Sequence, residues 1–282
     1  MLTTNPFTEL FTLIPPIAMQ IFLIVMVVSV VAGTIFDIMH KKSAVYFFEN
    51  AKKAEANRKR TVSGGEKVGI AVATVANEVL TSGEFCNPKR RLSHLLTMYG
   101  TIAFIVSTVV LVFAYPASAA PNIWPIIWHL GAISVMVGGY WFWFSIRVDV
   151  SAEGSKWHQL KQADLFILSL LATTTFAFIW SLVQNSSGAS AGSMVLFALF
   201  IISTIVLFGG IPWSKFAHMF FKPAAAFQKR VTKADGSREN LPADYDLSDP
   251  EVQAKFPDIP EYLGKTPSYM GLGIKREEPK HY

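Results

Sequence analysis

The chain reads as an all-α integral membrane protein, a five-helix bundle with its N-terminus outside, its C-terminus cytoplasmic and an irregular cytoplasmic tail. Three observations carry this reading. Half of the 282 residues are apolar, with 22 Phe among them, and mean hydropathy is positive, as in helical membrane proteins. Five apolar runs, residues 17–36, 92–115, 124–146, 165–184 and 194–213, are each about 20 residues long, which at about 1.5 Å per residue matches a hydrocarbon core of about 30 Å. All 25 Lys and Arg fall in three segments: eleven in 41–91, three in 147–161 and eleven in 215–280. Five spans put those segments on one side, and positive residues stay in the cytoplasm. The net charge of +5 is thus mostly a topology signal. Its residues follow the membrane edge and are not interleaved with stacking aromatics, so no nucleic-acid module is expected.

Residues 1–40 form a short external lead, with Pro15-Pro16 before the first span, and that span itself. The run 17–36 is apolar all round, with Gly33 as a close-packing point. It is not a cleavable signal peptide. No basic residue precedes it, it is too long, and Asp37 to Lys42 stop it. His40 reads as an interfacial histidine among lysines.

Residues 41–91 are a cytoplasmic connection. A charged surface helix is expected over 43–60, broken by Ser63-Gly64-Gly65. The stretch 66–80 is amphipathic, with Val68, Val72, Val75 and Val79 near one face. The membrane surface and a partner subunit both fit that face. Lone Cys86 excludes an internal disulfide and a self-contained cysteine-ligated iron–sulfur cluster. It reads as structural or incidental.

Residues 92–222 form a four-helix core. Its first helix opens with Arg90-Arg91-Leu92-Ser93-His94, and no Lys, Arg, Asp or Glu follows as far as Tyr115. An imidazole at the bilayer edge needs a partner. His218, after the last apolar run, is the candidate, and the two histidines read as a clamp for one haem between two helices. In the third span, His129 lies beneath Trp124 and Trp128. It is either a hydrogen-bonded interfacial histidine or a quinone contact on the outer side. Gly131, Gly138 and Gly139 suggest tight helix contact or room for a flat ligand. Trp141, Trp143 and Phe144 read as an inner aromatic belt. The loop 147–164 carries His158, solvated or at a partner surface. Asp164 suits the N-terminus of the fourth span. The fifth ends in Pro212-Trp213-Ser214-Lys215-Phe216-Ala217-His218, and Pro212 is a kink site.

Residues 223–282 are a cytoplasmic tail. From 231 onward it holds six Pro and many Asp, Glu and Tyr, without apolar periodicity. A disordered tail and a partner-docking arm both fit. The stretches 256–262 and 269–273 carry the aromatics and prolines of a docking arm.

The histidine after Arg90-Arg91-Leu92, the string 163–171 and the Pro212 to His218 run together resemble the cytochrome b membrane subunits of respiratory nitrate reductase (gamma). They also resemble the related anchors of heterodisulfide-reductase-like, quinone-interacting and sulfite-reductase-associated complexes. The resemblance covers about residues 92–229. It implies five helices that pass electrons between a quinone and the iron–sulfur clusters of a cytoplasmic partner. His94 and His218 match the pair that would hold the haem b near the cytoplasm. Where the family has its second ligand pair, this chain has Phe104 and Phe200, which implies that the distal haem is lost. Those two rings then either fill its space or line a quinone pocket. The charged, Tyr-rich tail looks like the anchor associated with adenylylsulfate reductase, which implies a flavin and iron–sulfur partner. Arg90, Arg91, Lys215 and Lys222 lie close in sequence to the ligands. Haem propionates and positive-inside topology explain them equally well.

The expected function is that of a redox subunit in a bacterial or archaeal cytoplasmic membrane, with one haem b, quinone as substrate and no catalytic residue of its own. The alternative is a haem-free anchor that recruits the same enzyme. A transporter is disfavoured, because no span carries an acid or base between its ends.

Overall fold

The computed structural model describes residues 2–41, 43–83, 85, 87–116, 119–150, 153–214, 218–238 and 249–255, with the backbone alone at 41, 43–46, 218 and 220. Cys86, Lys215 and the tail stretches 256–262 and 269–273 lie outside the described residues. Among the described residues every regular element is a helix.

Five helices are long and apolar enough to cross a membrane. They are α2 (Pro16–Lys41), α5 (Pro88–Phe113), α6 (Ile123–Trp141), α7 (Leu165–Ser187) and α8 (Ala191–Gly209), and the chain is a multi-pass helical membrane protein. A short helix, α1 (Phe7–Leu10), precedes them. Helices α3 (Ser43–Ala56) and α4 (Gly64–Thr74) lie between the first two spans, and α9 (His218–Asp235) and α10 (Pro250–Lys255) follow the last. A π-helical turn extends α4 over Val75–Leu80, and another extends α6 over Phe142–Ile146.

Boundaries differ from the sequence reading where local chemistry intervenes. Helix α5 starts at Pro88, because the Asn87 side chain accepts from Lys89 N at 2.9 Å and Arg90 N at 3.3 Å. Pro88 then sits at the first helical position, where its missing N–H costs nothing. Ser63-Gly64-Gly65 begins a helix and does not merely break one. Ser63 caps α4 by accepting from Glu66 N at 3.2 Å. The fifth span ends at Gly209, and Pro212 sits in a 3₁₀ turn, Ile211–Trp213.

Each span packs on its sequence neighbour from α5 to α8, and α2 closes the bundle against α8 and α5. The tightest seam joins α5 to α6. A Cβ on Gly100 would meet Gly131 O at 2.8 Å, one on Gly131 would meet Phe104 N at 2.7 Å, and one on Gly138 would meet Ser93 O at 2.7 Å. Backbones therefore touch along the seam, which is how helices associate where lipid gives no hydrophobic drive. Hydroxyls add cross-links: Ser93 Oγ donates to Gly138 O at 2.8 Å and Ser134 Oγ to Leu96 O at 2.9 Å. Of the two uses expected of these glycines, helix contact is the one realised.

The basic end carries a platform in which α9 packs on α3 and α4. Arg230 pairs with Glu78 at 2.6 Å, and Lys59 N donates to Asp235 O at 2.9 Å. Arg60 hydrogen-bonds Glu66, which holds that carboxyl below its usual range. At the same end Arg147 is fully buried and closes the loop 147–164. It donates to Lys156 O at 2.7 Å, Gln159 O at 2.6 Å and Asp164 Oδ2 at 2.5 Å, and lies 4.2 Å from the centre of the Trp143 ring.

At the opposite end the N-terminal lead plugs the mouth of the bundle. Phe7 and Leu10 are fully buried, and Gln184 Nε2 donates to Pro6 O at 2.5 Å. Burying each such side chain is worth about 1.5–3 kcal/mol, which pulls Phe7 and Leu10 into the mouth of the bundle while Glu9 between them stays exposed.

Two predictions follow from this packing. Gly131→Leu separates α5 from α6 and destabilises the detergent-purified protein by about 1–3 kcal/mol or more, whereas Gly192→Ala, where a Cβ meets open space, is close to neutral. Thermal unfolding in detergent reads both. Arg147→Ala strips a buried carboxylate of its partner and costs about 3–5 kcal/mol by the same measurement.

Candidate functional site

The expected site residues fall into two groups at opposite ends of the bundle. At the basic end, His94 is half-buried on the second turn of α5. Ser93 faces α6 through Gly138, and successive helix residues turn by about 100°, so His94 looks along another face. There it meets the chain returning from α4. Thr81 N closes on Ala76 O at 3.2 Å and Gly83 N on Asn77 O at 2.7 Å, so the π-turn ends tightly at Ser82. Ser82 takes a positive φ of 49°, unusual for a residue with a Cβ, and is 1% exposed. Its hydroxyl lies 2.9 Å from His94 Nδ1. Arg91 Nε donates to Thr81 O at 2.7 Å and Tyr99 OH to Leu80 O at 2.7 Å, pinning the same segment along α5.

Phe85 completes this corner, its ring centre 4.9 Å from that of His94. Arg90 Cζ and Lys222 Nζ each lie 5.4 Å from the Phe85 ring centre. Lys222 belongs to α9, one turn after His218, so the structure brings the start of α9 to the His94 corner. The side chain of His218 lies outside the described residues. Arg90 also pairs with Glu153 at 3.2 Å, both partners being about three-quarters buried. His40 and His158 are exposed.

At the opposite end, His129 is fully buried. Its Nδ1 lies 2.7 Å from Pro125 O and its Nε2 2.8 Å from Ser181 Oγ. A carbonyl can only accept, so Nδ1 carries a proton, and a neutral ring then accepts from Ser181 at Nε2. Phe104 and Phe200 do meet, with ring centres 6.4 Å apart. Trp128 lies 5.0 Å from Phe104, and Trp180 lies 6.0 Å from Phe200. Neither phenyl ring offers a donor atom to iron, and the four rings pack on one another, with Phe7 above them against Trp128 and Trp180. Both rings are buried within this aromatic cluster.

A third feature was not anticipated from the sequence. A lipid-facing groove of about 270 Å³ runs between α6 and α7 in the basic half, lined by Tyr140, Trp143, Phe144, Leu171, Thr175 and Phe176 among others. Tyr140 OH lies 2.9 Å from Thr175 Oγ1, the polar spot in an aromatic wall. Ser82, Phe85, Ser181 and Glu153 are further residues that the sequence reading missed. The Asn87-Pro88 capping pair would have signalled where α5 starts, but nothing local pairs Ser82 with His94 or Ser181 with His129.

Compared with models of protein families, with curated proteins and with solved structures, the chain finds no match.

Ser181→Ala leaves the buried His129 Nε2 without its donor. It lowers stability by about 1–3 kcal/mol, checked by thermal unfolding of the detergent-purified protein.

Proposed function

We propose that the protein is the membrane subunit of a respiratory electron-transfer complex. It passes electrons between the quinone pool and a cytoplasmic iron–sulfur flavoenzyme through one haem b held by His94 and His218. The observation that carries this reading is the corner at the basic end. The imidazole of His94 is oriented by Ser82, and the helix that begins at His218 reaches the same aromatic ring, Phe85, through Lys222.

The residues fit the group. A hydroxyl on Nδ1 sets the tautomer and orientation of an imidazole that would bind iron through Nε2, as partners around metal-bound histidines do. Arg90 and Lys222 supply positive charge for propionates beside it. When bound, the haem would supply a one-electron relay whose potential follows from its axial ligands and apolar surroundings. A second haem does not fit between Phe104 and Phe200, which lack donor atoms and lie in ring contact with their neighbours.

Without a second relay, quinone exchange belongs in the half that holds His94. His129, Phe104 and Phe200 are buried, and the groove at Tyr140 and Thr175 is the better place for it. A quinone ring would stack on the aromatic wall there, with its carbonyl near the hydroxyl pair. The N-terminus lies outside and the platform in the cytoplasm, as the charge distribution indicates. The membrane is a bacterial or archaeal cytoplasmic membrane, and the tail's resemblance points to a partner of the adenylylsulfate reductase class. A second reading, a haem-free anchor, is favoured by the platform of α3, α4 and α9, a folded surface on which an enzyme can sit without exchanging electrons.

The test is a pyridine haemochrome assay on the detergent-purified chain with its co-purifying partner. The expected result is one haem b per chain, lost in His94→Ala and in His218→Ala and kept in His129→Ala. Ser82→Ala keeps the fold but weakens haem affinity about 10–100-fold and shifts the midpoint potential. Two haems, or one that survives the double histidine variant, would overturn the assignment. No haem with the partner still bound would establish the anchor reading.

A further inference from the structure

Helix α4 and its π-turn are inside out for a helix in water. The exposed face runs through Gly65, Val68, Gly69, Val72, Val75, Ala76 and Leu80, without a charge. Val68 is 63%, Val72 64%, Val75 48% and Leu80 50% exposed. Cβ atoms built on Gly65 and Gly69 meet nothing within 4 Å, so no described part of the chain covers this face. The inward face is the polar one. Thr74, opposite Val72, is 2% exposed, Glu78 pairs with Arg230 of α9 and Glu66 with Arg60. A helix at a water boundary buries its apolar stripe. Here the stripe facing away from the protein is the apolar one, and of the helix's charges Glu78 faces α9 while Lys67 and the Arg60–Glu66 pair lie at the surface outside the stripe.

We propose that α4 and its π-turn, residues 64–80, lie in the headgroup region of the bilayer with the Val68, Val72, Val75 and Leu80 stripe against phospholipid acyl chains. Position supports this occupant. Leu80 O is held by Tyr99 OH and Thr81 O by Arg91, which sets the end of the stripe beside the first turns of α5. There Leu92, Tyr99, Ile102 and Val106 form the exposed face of a membrane span, and the stripe continues that lipid-facing surface. Composition supports it too. The face is Gly, Ala, Val and Leu, without the aromatic, Met and Arg anchors of a protein interface core. Interfacial helices bury an apolar face about 5–10 Å into the headgroup and acyl boundary. The arrangement does not depend on a bound haem, but it has a consequence for the site. The helix runs directly into Ser82, so the bilayer surface helps to hold the hydroxyl that meets His94.

The experiment uses the full chain with Cys86→Ser, so that a single introduced cysteine takes a nitrobenzoxadiazole label. Val72→Cys and, independently, Val68→Cys are labelled and reconstituted into phosphatidylcholine–phosphatidylglycerol vesicles. Both side chains are largely exposed, so the labels do not disturb the packing. Glu55→Cys on α3 is the control in water. The expected result is blue-shifted emission at 68 and 72, quenched by lipids spin-labelled near the headgroup and resistant to aqueous iodide, with the reverse at 55. Quenching by iodide and not by lipid at both positions would place the face in water and overturn the proposal. Protection from both quenchers would mean that another protein surface, such as a second copy, covers the stripe, and would overturn it equally.

Discussion

The glycine seam between α5 and α6 is the contact on which the rest depends. Gly100, Gly131 and Gly138 let two backbones touch, and side chains of ordinary size would push them apart by about an ångström or more. Contact at this range also fixes rotation. With Ser93 bound to Gly138 O, the next residue, His94, is turned away from α6 toward the segment that ends at Ser82. The lipid-facing row of Leu92, Tyr99, Ile102 and Val106 is set by the same rotation. One seam thus decides which residues of α5 meet protein, which meet lipid and which are available for chemistry.

The two ends of the bundle are built from different materials. The end opposite the basic segments is apolar and aromatic, filled by Phe7, Trp128, Trp180, Phe104, Phe197 and Phe200. The buried imidazole there is tied to Pro125 O and Ser181. Large rings there gain area and edge-to-face contact without needing donors. The basic end is polar and connected. Arg147 gathers a loop by donating to three carbonyls and one carboxylate, and Glu78, Arg230, Arg60 and Glu66 hold the platform. A charge buried as fully as Arg147 persists because Asp164 and the loop carbonyls pair its two terminal nitrogens, and removing one partner leaves the other uncompensated.

Much of this was legible in advance, for identifiable reasons. Span length and hydropathy are set by bilayer thickness, and all five spans lie where their apolar runs lie, within a few residues. The differences at the ends come from caps. Asn87-Pro88 extends α5 backward, and Ser63 turns an expected break into a helix start. The contact between Phe104 and Phe200 joins residues 96 apart in the chain, and no local pattern announces it. The folding of Phe7 and Leu10 into the bundle was not legible. Two apolar residues three apart in a short lead look like any interfacial segment until the cavity they fill is known.

The sequence by itself determined the class of the protein, the number of its spans, the single basic side and the candidate imidazoles, because these follow from composition and from the cost of charge in hydrocarbon. Tertiary structure alone decided which hydroxyl faces which histidine, which glycines touch backbone, and that the polar side of α4 faces inward. Those outcomes depend on residues far apart in the chain, Ser82 with His94, Ser181 with His129, Arg230 with Glu78. A periodic pattern says that a helix has two faces. It does not say which solvent each face meets, since that is fixed only when the neighbouring helices are in place.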